Sequence, residues 1–373
     1  VVVETWTRWQ EDVEREGMRF APAPEYHVFP TLERPLKPYE AVRRAAGVTR
    51  SLVVAERPDV VVSDILTLAP ALAAELEGVP WATLIPHVDP RAGAGFPPYS
   101  IGARLPRTSV GRRWWSLFDP LIGRGLALGR SELNETRAHL GLPPLDRVHG
   151  GISRALAMVA TFPQLEYPRA EGPPPGTHVV GPLQWEPPFG DVELPPGDAP
   201  LVLVAPSTAQ DREGHMLRAA LAGLASLPVR VLATTNQRGQ TDGYDIPANA
   251  RLVDWVSYSR TMPLCDVVVG HAGHGTLMRA LTSGCVVVAC PAAGDMNENA
   301  ARLAWSGAGV RLPRRLVTPR ALRLAVQRAL TEPALRVRTR ELAAWAAVRD
   351  PADRAAELVE GLVASGHDIR DTN

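Results

Sequence analysis

The stretch that decides the fold is DVVVGHAGHGT, Asp266 to Thr276, where an apolar β-branched run ends in glycines and passes into a helical pattern. Three consecutive valines read as a strand buried on both faces, and Leu277, Met278, Ala280 and Leu281 recur at helical spacing from Thr276 to Ser283. A strand that turns through glycines into a helix is an anion site in outline. Gly270, Gly273 and Gly275 let the backbone turn tightly and approach a ligand, while the free N–H groups and positive dipole end of the helix face a negative charge. His271 and Thr276 add side-chain donors at the same place. The spacing is not the G-x-G-x-x-G dinucleotide fingerprint, and glycines at such a turn serve structure as readily as binding. His271 and His274 form only a pair, which is too few ligands for zinc.

Working outward, the same rhythm recurs on both sides. PLVLVAP at Pro200, VRVLATT at Val229 and VVVACP at Val286 are further strands, with a helix at about Gly214 to Ser226. Upstream, VVVE at Val1, DVVVSD at Asp59, VPWATLIPH at Val79, LAMVAT at Leu156 and THVVG at Thr177 form an earlier set. ILTLAPALAAELEG between them is a crossover helix of the length that joins parallel strands. After Gly181 the chain runs PLQWEPPFGDVELPPGDAP, prolines and acids without periodicity, which reads as a linker. The expectation is an α/β protein of two Rossmann-like domains facing across a cleft: residues 1–183, a linker at 184–198, and residues 199–373, with the last helix packing back on the first domain. Thr318 before Pro319 and Asp350 before Pro351 are expected N-caps. The chain opens inside VVVETW, a strand followed by a helix through Trp9 to Gly17, so the first βα unit of the N-terminal domain is expected to be missing.

Composition narrows the function. The length of 373 residues allows two domains of roughly 150 residues each. Lys plus Arg and Asp plus Glu both number 40, so no net field draws the chain to nucleic acid or anionic membranes. Lys37 is the only lysine, and its setting in PLKPYE suits neither a Walker A loop nor a Schiff base to pyridoxal phosphate. Cys265, Cys285 and Cys290 form no Cys-x-x-Cys and lie in or beside apolar runs, as core cysteines of a reducing compartment do. No apolar run approaches the roughly 18 residues that span a bilayer, and no signal-peptide layout opens the chain, so a cytoplasmic location is expected.

From Trp255 through Asn299 the residues together resemble the donor-binding signature of family 1 glycosyltransferases, the two-domain GT-B group that includes the antibiotic glycosyltransferases of actinomycetes. The likeness is carried by Trp255, the strand-ending His-x-Gly-x-Gly-Thr, a small-residue helix with Gly284, Pro291, and Asp-x-x-x-Asn at Asp295 and Asn299. Weaker likeness extends to PDVVVSD, the VGP before the linker and VLVAPST. The resemblance implies that Trp255 lies against the nucleotide base, with Val256 offering backbone contacts. His271, Gly273, Gly275 and Thr276 would hold the pyrophosphate, Ser207 and Thr208 would donate across the cleft, and Asp295 would bind sugar hydroxyls. Each has a plainer reading: Trp255 as an interior plug, Ser207 and Thr208 as capping hydroxyls, Asp295 as a helix cap.

Two departures bear on the donor. Where enzymes using UDP-sugars commonly carry a glutamate that grips both ribose hydroxyls, this chain has Arg279; a deoxyribose has no 2′-hydroxyl to hold, which favours a dTDP-deoxysugar over a UDP-sugar. Met296 stands where the pattern usually has Gln, placing a soft apolar group beside the sugar. The implied reaction is an inverting transfer to a hydroxyl of a small-molecule natural product, and the absence of any Asp-x-Asp triplet fits metal independence. In such enzymes a histidine on the first N-terminal loop is the base, and Asp64 matches the carboxylate that orients it. His87, Trp114 and Phe118 are candidate acceptor contacts, and a homodimer is compatible with the pattern. The alternatives are a noncatalytic nucleotide-sugar-binding or auxiliary protein and, less compatibly with the residues, a nucleotide-sugar epimerase.

Overall fold

The computed structural model describes residues 1–24, 40–207, 214–236 and 241–365. In the N-terminal half the order is β1 (Val2–Thr5), α1 (Gln10–Arg15), β2 (Arg19–Pro22), α2 (Glu40–Glu56), β3 (Val61–Asp64), α3 (Leu68–Leu76), β4 (Trp81–Ile85), α4 (Ser109–Ser116), α5 (Asp119–His139), β5 (Ala157–Val159) and β6 (Thr177–Val179). Strands β3, β4, β5 and β6 pair in that order, all parallel. β1 and β2 form a separate parallel pair, and among the described residues no ladder joins it to the four-stranded sheet. The expected strands at Val1, Asp59, Val79, Leu156 and Thr177 are therefore present. β2 and the helices of the segment after Gly93 carry weaker local signals and come from the structure.

The C-terminal half contains β7 (Leu201–Ala205), α6 (His215–Leu224), β8 (Arg230–Thr234), β9 (Ala250–Val253), α7 (Tyr258–Thr261), β10 (Val267–Gly270), α8 (His274–Thr282), β11 (Val286–Ala289), α9 (Asp295–Ser306), β12 (Gly309–Arg311), α10 (Pro319–Thr331), α11 (Pro333–Ala347) and α12 (Pro351–Ala364). Its parallel sheet has the order β12-β11-β10-β7-β8-β9, a doubly wound arrangement whose direction of winding reverses between β10 and β7. The valine runs are buried on both faces because helices cover both sides of the sheet. Thr318 accepts from the Ala321 N–H and Asp350 from the N–H groups of Ala352 and Asp353, so both expected N-caps are made.

The two halves share apolar contacts. Val88, Phe162 and Leu165 join the core built on the β7–β10–β11 face, and Phe162 packs on Trp345 with ring centroids 5.6 Å apart. Helix α12 returns to the N-terminal sheet, burying Leu362 with Ala82, Leu156, Met158 and Val180. The linker is irregular yet fastened to the C-terminal half. Glu186 accepts from the N–H groups of Tyr258 at 2.7 Å and Ser259 at 2.8 Å, and Phe189 lies 6.3 Å from the ring of Trp255. A chain segment without periodicity buries little by itself, so these charge-assisted bonds to backbone donors fix its course.

Candidate active site

The site begins with strand register. Ala205, Gly270 and Ala289 are in register at the carboxyl ends of β7, β10 and β11, so the turns that follow emerge side by side where the winding reverses. Open α/β sheets bind ligands in that crevice. Ser207 follows β7 and is buried, His271 to Gly273 follow β10, and Asp295 opens α9 after β11. Thr208 lies outside the described residues. Trp255 stands two residues beyond the end of β9, partly exposed on the same side of the sheet, while the Val256 side chain is in the core, leaving its backbone as the part able to face a ligand.

The turn after β10 is tighter than the sequence pattern requires. Helix α8 begins at His274, so Gly275 and Thr276 belong to its first turn, where N–H groups have no intrahelical acceptor. Ala272 holds a left-handed conformation with φ of 63°, a conformation unusual for a residue with a Cβ and worth about 1 kcal/mol or more of strain. Gly273 is required by contact: a Cβ there would lie 2.3 Å from His271 Nε2, because the imidazole folds back over the turn. Gly275 meets nothing within 4 Å and is open to a ligand. Asn299, buried on α9, donates to the Ala272 carbonyl at 3.0 Å and also lies against His274.

His274 has a role that its spacing from His271 did not reveal. Its Nε2 donates to the Ala160 carbonyl of the N-terminal half at 2.9 Å, and burial pushes its pKa down to about 4, against the pull of that carbonyl. A neutral imidazole at a helix N-terminus avoids placing a second positive charge against the dipole.

Across the cleft, Asp64 and His87 sit at the carboxyl ends of the neighbouring strands β3 and β4. Burial raises the Asp64 pKa, while the Leu66 N–H and the nearby His87 work in the opposite direction. His87 Nδ1 lies 2.8 Å from the Val88 carbonyl, so Nδ1 carries a proton and donates to it. Tyr99, outside the residues singled out from the sequence, packs 6.3 Å from the His87 ring, and its hydroxyl has no hydrogen-bond partner among the described residues. Burial and then the fields of Glu298 and Asp295 raise its pKa, which ties Tyr99 electrostatically to the start of α9. Met296 packs partly buried against the core of the C-terminal half. Arg279 is half-buried in a groove of about 570 Å³ with Pro182, Gln184, Thr282 and Asp350. Trp114 is 60% exposed on α4, and Phe118 contacts Trp115 at 5.4 Å, so these two form an outward aromatic face and not an enclosed wall.

A buried cluster fixes the two sides of the cleft. Arg302 of α9, 2% exposed, bonds Glu298 Oε1 at 2.8 Å, Glu166 Oε2 at 2.8 Å and the Asp89 carbonyl at 3.1 Å, and lies 4.4 Å from the centre of the Tyr167 ring. Burial alone would lower its pKa; Glu166 and Glu298 outweigh it and keep the guanidinium charged. Glu298 and Arg302 are one helical turn apart, but Glu166 and Asp89 lie far away in the chain, so spacing alone does not reveal the cluster.

Comparison with known proteins accords with this geometry. Residues 218–364 match the erythromycin biosynthesis protein CIII-like, C-terminal domain. The 4'-demethylrebeccamycin synthase of Lentzea aerocolonigenes is 33% identical over 321 residues, covering 82% of this chain and 74% of that protein. The O-mycaminosyltylonolide 6-deoxyallosyltransferase of Streptomyces fradiae is 30% identical over 241 residues, covering 62% of this chain and 56% of its own. Among solved structures, the glycotransferase of kitacinnamycin superposes with a TM-score of 0.75 at 20% identity, covering 97% of this chain and 91% of that one. The glycosyltransferase VinC in complex with dTDP gives 0.68 at 19%, covering 98% and 92%. With the doubly wound sheet, the glycine turn at its switch point and these relatives together, the chain belongs to the bacterial natural-product glycosyltransferases of family 1, enzymes of the GT-B fold.

Proposed function

We propose that the enzyme transfers a deoxysugar from a dTDP-sugar to a hydroxyl group of a small-molecule natural product, with inversion at the anomeric carbon and without a metal ion. The observation that carries this reading is the turn His271–Gly273 at the N-terminus of α8, where a strained Ala272 is braced by Asn299 and the helix start faces the cleft. Such a terminus supplies N–H donors and a dipole equivalent to about half a positive charge, suited to a diphosphate leaving group. Trp255 offers an indole face for the base, Ser207 a donor from the neighbouring turn, and Asp295 with Met296 the sugar side; Thr208 is assigned with Ser207 from the sequence pattern alone.

On the acceptor side we assign Asp64 to orient a base histidine and His87, whose Nδ1 is engaged with the Val88 carbonyl, to contact the acceptor through Nε2. General-base assistance typically contributes about 10²- to 10⁴-fold. Support for a dTDP donor comes from Arg279 in place of the ribose-gripping carboxylate, and from the relative whose structure contains dTDP. Trp114 and Phe118 are assigned to the acceptor approach.

Thermal-shift titrations with dTDP and UDP test the donor assignment: the larger shift is expected for dTDP, and a preference for UDP overturns it. Trp255→Ala should raise the donor KM by about tenfold or more with a smaller change in kcat, given about 1–3 kcal/mol for stacking of a base on an aromatic face. Turnover that survives a chelator and a product of inverted anomeric configuration are the expected results; loss of activity with chelator, or retention, would count against the mechanism.

A further inference from the structure

We propose that the outward face of α4 and α5 is a docking surface for an anionic lipid bilayer. Helix α4 buries none of its residues, although it contains two tryptophans and a valine. Val110, Trp114, Leu117, Leu121 and Leu128 are between 60% and 75% exposed. Leu117 and Phe118, which join the two helices, keep right-handed helical dihedrals. The spacing i, i+4, i+7, i+11 and i+18 therefore puts the five side chains on one stripe of a nearly continuous helix. A short helix without a buried face is marginal in water by itself, so the stripe calls for a partner.

Charge identifies that partner. Arg113 and Arg124 are exposed at the margin of the stripe and Arg107 lies just before α4, and none of the three forms an ion pair with a carboxylate among the described residues. Asp119 is the only acid between Ile101 and Ser131. Trp and Leu on one side with unpaired arginines at the margins is the pattern of a helix lying in the headgroup region of an anionic membrane. The chain as a whole has no net charge, so this cationic face is a local segregation and not a property of the composition. Among the described residues no helix is long and apolar enough to cross a membrane, so the association is peripheral. The surface lies on the segment that follows β4 and His87, and docking would present the acceptor side of the cleft to compounds dissolved in the bilayer.

Co-sedimentation of the full chain with vesicles tests this, comparing phosphatidylcholine alone with phosphatidylcholine containing phosphatidylglycerol. Binding is expected only to the anionic vesicles and should fall as salt rises. Arg107→Glu/Arg113→Glu/Arg124→Glu should reduce it at least tenfold, and so should Leu117→Ser/Leu121→Ser/Leu128→Ser, with circular dichroism confirming that the variants fold. Absence of binding to anionic vesicles, equal binding to neutral ones, or binding unaffected by charge reversal overturns the proposal. So does a concentration-dependent dimer that Leu117→Ser abolishes, which would make the stripe a contact between two copies.

Discussion

The side-chain amide of Asn299 donates to the carbonyl of Ala272 at 3.0 Å, joining the buried face of α9 to the one left-handed alanine in the β10–α8 turn. Two parts of the donor signature that are separate in sequence are thus one mechanical unit. Removing the amide leaves a carbonyl without its donor in a buried turn, at a cost of about 1–3 kcal/mol. Asn299→Ala should lower stability to denaturant by that amount and weaken nucleotide binding. Asn299→Asp should weaken binding further, because it brings a negative charge toward the position proposed for the diphosphate. Wild-type affinity in both variants would show that the turn does not depend on this brace.

Gly273 is the position where a single methyl group is expected to disturb the site most directly. A Cβ there would stand 2.3 Å from His271 Nε2, so the imidazole of Gly273→Ala must leave its place over the turn. We expect dTDP affinity to fall about tenfold or more by calorimetry, equivalent to roughly 1.4 kcal/mol. Gly275→Ala meets open space and should fold normally, so an effect on binding there would report ligand proximity alone.

The Arg302 cluster should couple the two halves energetically. Removing one partner of a buried ion pair typically costs about 3–5 kcal/mol, because the other charge is left without compensation. Arg302→Met strands Glu298 and Glu166 and should fall in this range by urea unfolding. Glu166→Gln added to Arg302→Met should restore part of the loss, and a double-mutant cycle gives the coupling. Strict additivity would mean that the two side chains do not depend on each other.

His274 predicts a pH dependence with a defined direction. Its pKa falls from 6.5 to about 4 on folding, so between these values the unfolded chain binds a proton that the folded chain does not. This contribution to stability is present above pH 6.5 and is lost progressively as pH falls toward 4, by roughly 1–3 kcal/mol. His274→Gln keeps a donor for the Ala160 carbonyl and removes the titration, so its stability curve should be flatter across that interval. Equal slopes in the two proteins would show that His274 is not the group responsible.

The recurrence of short apolar runs and helical spacing determined the doubly wound C-terminal sheet, the strands of the N-terminal half and the caps at Thr318 and Asp350, because those signals lie within one element or at its end. The glycine turn after Val269 was legible for the same reason: its residues are contiguous. Strands β2, RFAP, and β12, GVR, are no shorter than strands that were legible, but they lack a run of β-branched residues and include Pro22 and Gly309, which strands disfavour. Only tertiary structure decided that His274 meets Ala160 across 114 positions, that Arg302 meets Glu166 and Asp89 across 136 and 213, and that Tyr99 lies near Asp295. It also decided that arginines balanced in the total count gather around one exposed stripe. Local sequence specifies dihedral preference and periodic burial, whereas these pairings depend on how layers stack and on which backbone groups are left needing partners once they do.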